Sequence, residues 1–158
     1  MLTDAGGKPE QARALGPSAP VELEIPAIEV RTAVVPIGLR PDRTLDLPAP
    51  GEDAPAGWYR GSPAPGENGS SVIVGHVDSA EHGPAVFHRL RLLRPGDEIL
   101  VRRADGNEVR FVVIGVGLHP KKAFPNERVF GPRDYPVLTL VTSGGSHPAN
   151  VVVFARVV

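Results

Sequence analysis

The sequence predicts an all-β domain, a barrel or a sandwich, on three observations. Seven or eight short apolar runs are separated by turn-rich connections. Gly and Pro each occur 18 times in 158 residues, which implies many turns and few long helices. Aromatics make up only 5% of the chain, so the core must be built mainly from Val, Ile and Leu.

The runs follow in order. Residues 1–20 lack sustained periodicity and read as a flexible arm or linker ahead of a single domain over 21–158. Val21 to Ile25 alternates apolar and polar residues, as a half-buried strand does, and ends at Pro26. Ile28 to Ile37 is a second extended stretch, broken at Pro36. Residues 40–70, rich in Pro, Gly, Asp and Ser, read as loops around Trp58-Tyr59. Ser71 to Gly75 is a short strand of the buried type. A helical turn is expected near Pro84 to Leu90, with Pro in the first turn. Pro95-Gly96-Asp97 is a turn. Glu98–Arg103 and Glu108–Leu118 form strands joined through Asp105-Gly106, a strong hairpin signal. Pro125 to Phe130 is read as one more helical turn. Val137–Thr142 and Val151–Val157 complete the strands.

Composition narrows the function. With 17 basic and 18 acidic residues the net charge is −1, so neither nucleic acid nor an anionic membrane surface is an expected partner. The absence of cysteine excludes disulfides and thiolate metal sites. No apolar run reaches 18 residues, and residues 1–20 lack a signal-peptide pattern. Any membrane attachment is therefore expected through an anchor outside this sequence. His82, His88, His119 and His147 lack ligand-like spacing, so no metal is expected, and no cofactor either.

Two residues stand out for chemistry. His76 follows a strand in Gly75-His76-Val77-Asp78, well placed to face a cleft, although on position alone a surface loop histidine is the ordinary reading. The run Val137 to Thr142 stops abruptly at Ser143-Gly144-Gly145, and such a strand end can present a nucleophile. A plain turn serine is the ordinary reading. A serine nucleophile needs a base in reach and usually an orienting carboxylate. Asp78 shares a strand face with His76, at ~6–7 Å between Cα atoms. It either orients the imidazole or bonds backbone amides in its own loop. Gly144 and Gly145 let the backbone approach a carbonyl and are candidate oxyanion donors, or simply a turn.

Taken together, these pieces resemble a class F sortase of high-GC Gram-positive bacteria. The resemblance runs from about Val21 to Val158. It rests on Ile25-Pro26-Ala27-Ile28, Ala56-Gly57-Trp58-Tyr59, Pro65-Gly66, Gly75-His76-Val77-Asp78-Ser79 and Gly83-Pro84-Ala85-Val86-Phe87. Pro95-Gly96-Asp97, Phe124-Pro125, Val129-Phe130-Gly131-Pro132, Thr139-Leu140-Val141-Thr142 and Asn150 to Ala155 continue it. It implies a closed eight-stranded sortase-type β-barrel with short helical turns. It implies cleavage of Leu-Pro-x-Thr-Gly sorting signals of surface proteins between Thr and Gly, outside the plasma membrane, with an amine or water as acceptor. His76 matches the histidine that protonates the leaving amine, and Ser143 stands where the family has its nucleophilic cysteine. Thr142, Gly144 and Asn150 are the adjoining candidates for substrate binding. The family's arginine before the last strand has no match: Pro148 stands there, and Arg156 is about 20 Å further along the strand. Arg128 and Arg133 are the remaining candidates for its role.

The serine governs the expected activity. A thiol near pKa 8.5 is partly ionised at neutral pH, whereas a hydroxyl needs full general-base help. Loss of the matched nucleophile in a serine protease costs roughly 10⁶-fold in kcat; serine for cysteine should cost less, yet still much. An introduced Cys-to-Ser change is the favoured origin, and a degenerate homologue is the other. Three readings stay open: a sortase transpeptidase inactivated or slowed by serine, a non-catalytic peptide-binding module on the same barrel, and a serine hydrolase using Ser143, His76 and Asp78.

Overall fold

The computed structural model describes residues 14–51, 54–79, 81–120, 133–143 and 149–158. Among these residues are ten strands: β1 (Pro20–Ile25), β2 (Val30–Ile37), β3 (Ala56–Tyr59), β4 (Gly69–His76), β5 (Asp78–Ser79), β6 (Gly83–Pro84), β7 (Glu98–Arg103), β8 (Glu108–Pro120), β9 (Pro136–Ser143) and β10 (Ala149–Val157). Eight of them close a barrel in the order β1-β2-β3-β4-β9-β10-β8-β7, and β5 and β6 form a separate two-stranded ladder. The expected all-β, eight-stranded closed barrel is therefore what the chain forms.

Alternation along the strands builds the barrel's two layers. Leu23, Ile25, Ile73, Ile99, Val101, Phe111, Leu138, Leu140, Val153 and Ala155 are fully buried in one cluster inside it. A second cluster, Val72, Val74, Val141, Val152 and Phe154, lies on the opposite face of β4, β9 and β10. Leu45, Leu47 and Tyr59 cover that outer cluster. β4 and β9 are thus covered on both faces, which explains their continuous apolar runs. They pair in parallel, from Gly69↔Pro136 to His76↔Ser143.

The hairpin at Asp105-Gly106 forms as expected. Gly106 has φ +89°, and the Arg103 guanidinium donates to both oxygens of Asp105 and to the Pro65 carbonyl. Arg103 is only 3% exposed, so this pairing neutralises a buried charge. Its guanidinium holds the Asp105 carboxyl down at about 2. Pro36 does not break β2. It sits beyond the β1 pairing, which runs from Val30 to Ala33, so its missing N–H disrupts no ladder on that side.

Two further expectations are corrected. Residues 40–70 are not all loop: Ala56–Tyr59 is the barrel strand β3, between β2 and β4. Pro84 belongs to the β5–β6 ladder rather than to a helical first turn, and the helical turn there is a 3-10 helix at Leu90–Leu92. A second 3-10 helix, Pro26–Ile28, separates β1 from β2. The expected helical turn at Pro125 to Phe130 lies outside the described residues. Before β1, the Leu15 amide donates to the Gly66 carbonyl and the Leu15 side chain packs on the core.

Candidate functional site

The barrel brings its two candidate residues together by register. β4 and β9 run side by side in the same direction and end at the same level, so His76 and Ser143 are cross-strand neighbours on one face. The Val77 amide continues the ladder by donating to the Ser143 carbonyl, 3.1 Å. By strand parity both side chains share the outer face with Val72, Val74 and Val141. Both are half-buried, at the end of a groove of about 670 Å³. Those valines form its floor, and Asn150, Arg40, Thr44, Leu45 and residues 47–50 contribute to its walls.

The imidazole is oriented by a backbone group. His76 Nε2 lies 2.8 Å from the Pro48 carbonyl oxygen. A carbonyl only accepts, so Nε2 carries the proton, and in the neutral ring Nδ1 is left as the acceptor. Asp78 is exposed and pairs with Pro84 in the small ladder. The observed partner of His76 is thus a loop carbonyl from 28 residues earlier, not the nearby carboxylate considered from the sequence.

Gly75 explains how the histidine strand packs. A Cβ there would stand 2.7 Å from the Phe87 ring and 2.9 Å from Val86. Phe87 is fully buried, and its amide donates to the His76 carbonyl, 3.0 Å. The ring packs directly beneath the histidine's backbone, in space that only glycine leaves open.

The other candidates have distinct places. Thr142 is 2% exposed, and its hydroxyl accepts the Val151 amide proton at 2.8 Å, tying the start of β10 to the end of β9. Asn150 is half-buried on the groove wall, opposite His119 of β8. Gly144, Gly145 and Pro148 lie outside the described residues, as does Arg128. Arg156 is exposed near the far end of β10, opposite Val137. Arg133 falls just before β9. Among the described residues, Arg40 lines the groove, and its Nε lies 3.3 Å from Asp46. Neither Arg40 nor Pro48 was singled out from the sequence, because both sit in a turn-rich connection with no periodicity. Among the described residues no group of three His, Cys, Asp or Glu side chains is arranged to hold a metal. Also among them, no helix is long and apolar enough to cross a membrane.

The sortase domain family matches residues 23–158. The chain belongs to the sortase family. Sortase A from Corynebacterium diphtheriae superposes with a TM-score of 0.67 at 19% identity, over 92% of this chain and 63% of that one. Sortase C-1 from Actinomyces oris gives a TM-score of 0.66 at 19% identity, over 87% and 72%. The pilus-related sortase C of Group B Streptococcus gives 0.68 at 15% identity, over 91% and 69%. The chain therefore spans less than two thirds of the Corynebacterium protein, and at these identities the likeness speaks for the fold. A comparison with curated protein sequences finds no match.

Proposed function

We propose that this chain is a class F sortase domain, a peptide transpeptidase and hydrolase of the outer cell surface in a Gram-positive bacterium, carrying Ser143 at the nucleophile position. Its substrates are Leu-Pro-x-Thr-Gly-like sorting signals of surface proteins. The observation that carries this reading is the parallel register placing His76 beside Ser143 at the end of an apolar groove.

The chemistry follows from those positions. The Ser143 hydroxyl oxygen attacks the Thr carbonyl carbon, and its proton passes to the imidazole. The tetrahedral centre collapses, the Thr–Gly bond breaks, and His76 gives the proton to the departing glycine amine. An amine or water, deprotonated by His76, then attacks the ester and regenerates the hydroxyl. Thr142 acts as a positioning residue through β10, and Asn150 and Gly144 contact the peptide. Serine makes the first step slow, because the hydroxyl has no ionised fraction comparable to a thiol's.

Replacing Ser143 with Cys tests the reading. Cleavage of a fluorogenic Leu-Pro-Ala-Thr-Gly peptide should rise by at least 10²-fold over the unaltered chain and vanish again when His76→Ala is added. A folded Ser143→Cys protein that binds the peptide but never cleaves it would instead establish a peptide-binding module. Two features favour that second reading: the serine itself, and Pro148 where the family places its arginine. Rapid hydrolysis by the unaltered chain, blocked by a fluorophosphonate, would establish a serine hydrolase.

A further inference from the structure

We propose that His119 is a specificity-determining residue of this site, favouring peptides with an acidic side chain at the variable third position of the signal. Which residue of the peptide lies where rests on the sortase reading above; the placement of His119 rests on strand register.

Register sets four polar side chains in one row. β4 and β9 pair His76 with Ser143, and β8 and β10 pair His119 with Asn150. The β9–β10 ladder ends at Val141↔Val152, and two residues further along it Ser143 stands opposite Asn150. The bond from the Val151 amide to the Thr142 hydroxyl holds the two strand ends together there. Residues directly opposite each other turn their side chains to the same face. His76, Ser143, Asn150 and His119 therefore share the outer face at one level. Two strand spacings of about 4.8 Å put the His119 Cα roughly 10 Å from that of Ser143, on the side away from His76.

The His119 ring is half-buried and leans along β8 over Gly117, where a Cβ would stand 3.0 Å from its Nε2. Gly117 pairs with Val152, and Val152 with Val141 of the groove floor. The ring thus lies level with that floor, one step deeper than Ser143. Of the four described histidines, His76 and His88 bond carbonyl oxygens, and His82 lies 3.8 Å from Glu81 Oε2. Neither ring nitrogen of His119 has a hydrogen-bond partner among the described residues. A peptide with its Thr carbonyl at Ser143 and its Leu-Pro on the valines places its third residue between those two levels. A side chain reaching from there across Asn150 meets the imidazole. A carboxylate, which only accepts, suits an imidazole N–H and suits an imidazolium better still. An ammonium at the same place has only donors to offer and is repelled by the charged ring.

The test measures a preference, because specificity is a difference between two affinities. In Ser143→Cys, kcat/KM is compared for Leu-Pro-Glu-Thr-Gly and Leu-Pro-Lys-Thr-Gly peptides. The same peptides, dye-labelled, are titrated into the chain with Ser143 intact and read by fluorescence anisotropy. The glutamate peptide should be favoured at least threefold. His119→Glu should lower that ratio at least fivefold, and His119→Arg should preserve it. Circular dichroism must show the barrel intact; if His119→Glu is unfolded, His119→Gln decides, with a threefold fall expected. A parent without the preference, or folded variants that slow both peptides alike, overturn the assignment, while cleavage itself leaves the sortase reading standing. A preference that switches in binding, with no cleavage, keeps His119 and removes the transpeptidase reading. A chain that neither binds nor cleaves either peptide overturns both.

Discussion

Replacing Gly75 with Ala is the sharpest test of how this barrel positions its histidine. The new methyl would stand 2.7 Å from Cδ2 and 2.9 Å from Cγ of Phe87, and 2.9 Å from Val86. Ordinary contact needs roughly 1 Å more. The ring cannot swing into solvent, because it is 1% exposed and packed in the core cluster. Overpacking of this kind costs about 1–3 kcal/mol. Reduced freedom of the unfolded chain returns about 0.4–1 kcal/mol. The net loss should be about 1–2 kcal/mol, a fall in Tm of about 2–8 °C for a domain of this size. The single tryptophan, Trp58, donates to the Pro63 carbonyl at 3.1 Å and reports unfolding by fluorescence. Phe87→Leu is itself destabilising, but combined with Gly75→Ala it should cost less than the sum, since the smaller side chain makes room for the methyl. Strict additivity, or a Gly75→Ala protein as stable as the parent, would refute the close-packing argument.

Two buried hydroxyls should respond in opposite ways. Thr142→Val leaves the Val151 amide unsatisfied and should lower stability by about 1–3 kcal/mol in urea unfolding. Ser71 is fully buried with no partner for its hydroxyl among the described residues, so Ser71→Ala should be neutral or stabilising by up to about 1 kcal/mol in the same assay. The pH dependence turns on Asp105, whose carboxyl is held at about 2 in the fold against an ordinary value near 4. A depressed folded pKa stabilises the fold above the unfolded value, and that contribution is lost as pH falls from about 4 towards 2. Asp105→Asn should therefore flatten the acid limb of a Tm-against-pH curve over that range; superimposable limbs would exclude the Arg103–Asp105 pair as its cause. Leu140→Ala, fully buried inside the barrel, should lower stability by about 2–5 kcal/mol by equilibrium denaturation.

Legibility followed the length and regularity of each element. β1, β7, β9 and β10 declare themselves by alternation or by unbroken apolar runs, and Asp105-Gly106 marks its hairpin. β3 escapes because it has four residues, two of them Ala and Gly, between turn-rich segments. Pro84 misleads because a proline suits both a helical first turn and the end of a two-residue ladder. His76 and Ser143 were legible as strand ends, but composition holds no sign that the two strands are parallel neighbours. The connection between β2 and β3 was the least legible part of the site. It contributes the Pro48 carbonyl and two leucines from an irregular segment, and neither periodicity nor a motif marks a backbone oxygen as a histidine's partner.

The pairing of β4 with β9 joins a segment near the middle of the chain to one near its end. The intervening residues fold back as the β7–β8 hairpin, which borders β1 on one side and β10 on the other. Pairing across so long a stretch of chain raises the contact order, which slows folding, and the juxtaposition of imidazole and hydroxyl depends on that pairing. The exposed turn at Asp105-Gly106 would divide the chain into one piece bearing His76 and another bearing Ser143. Each piece would carry only one of the two side chains, and their juxtaposition would return only if the barrel reassembled.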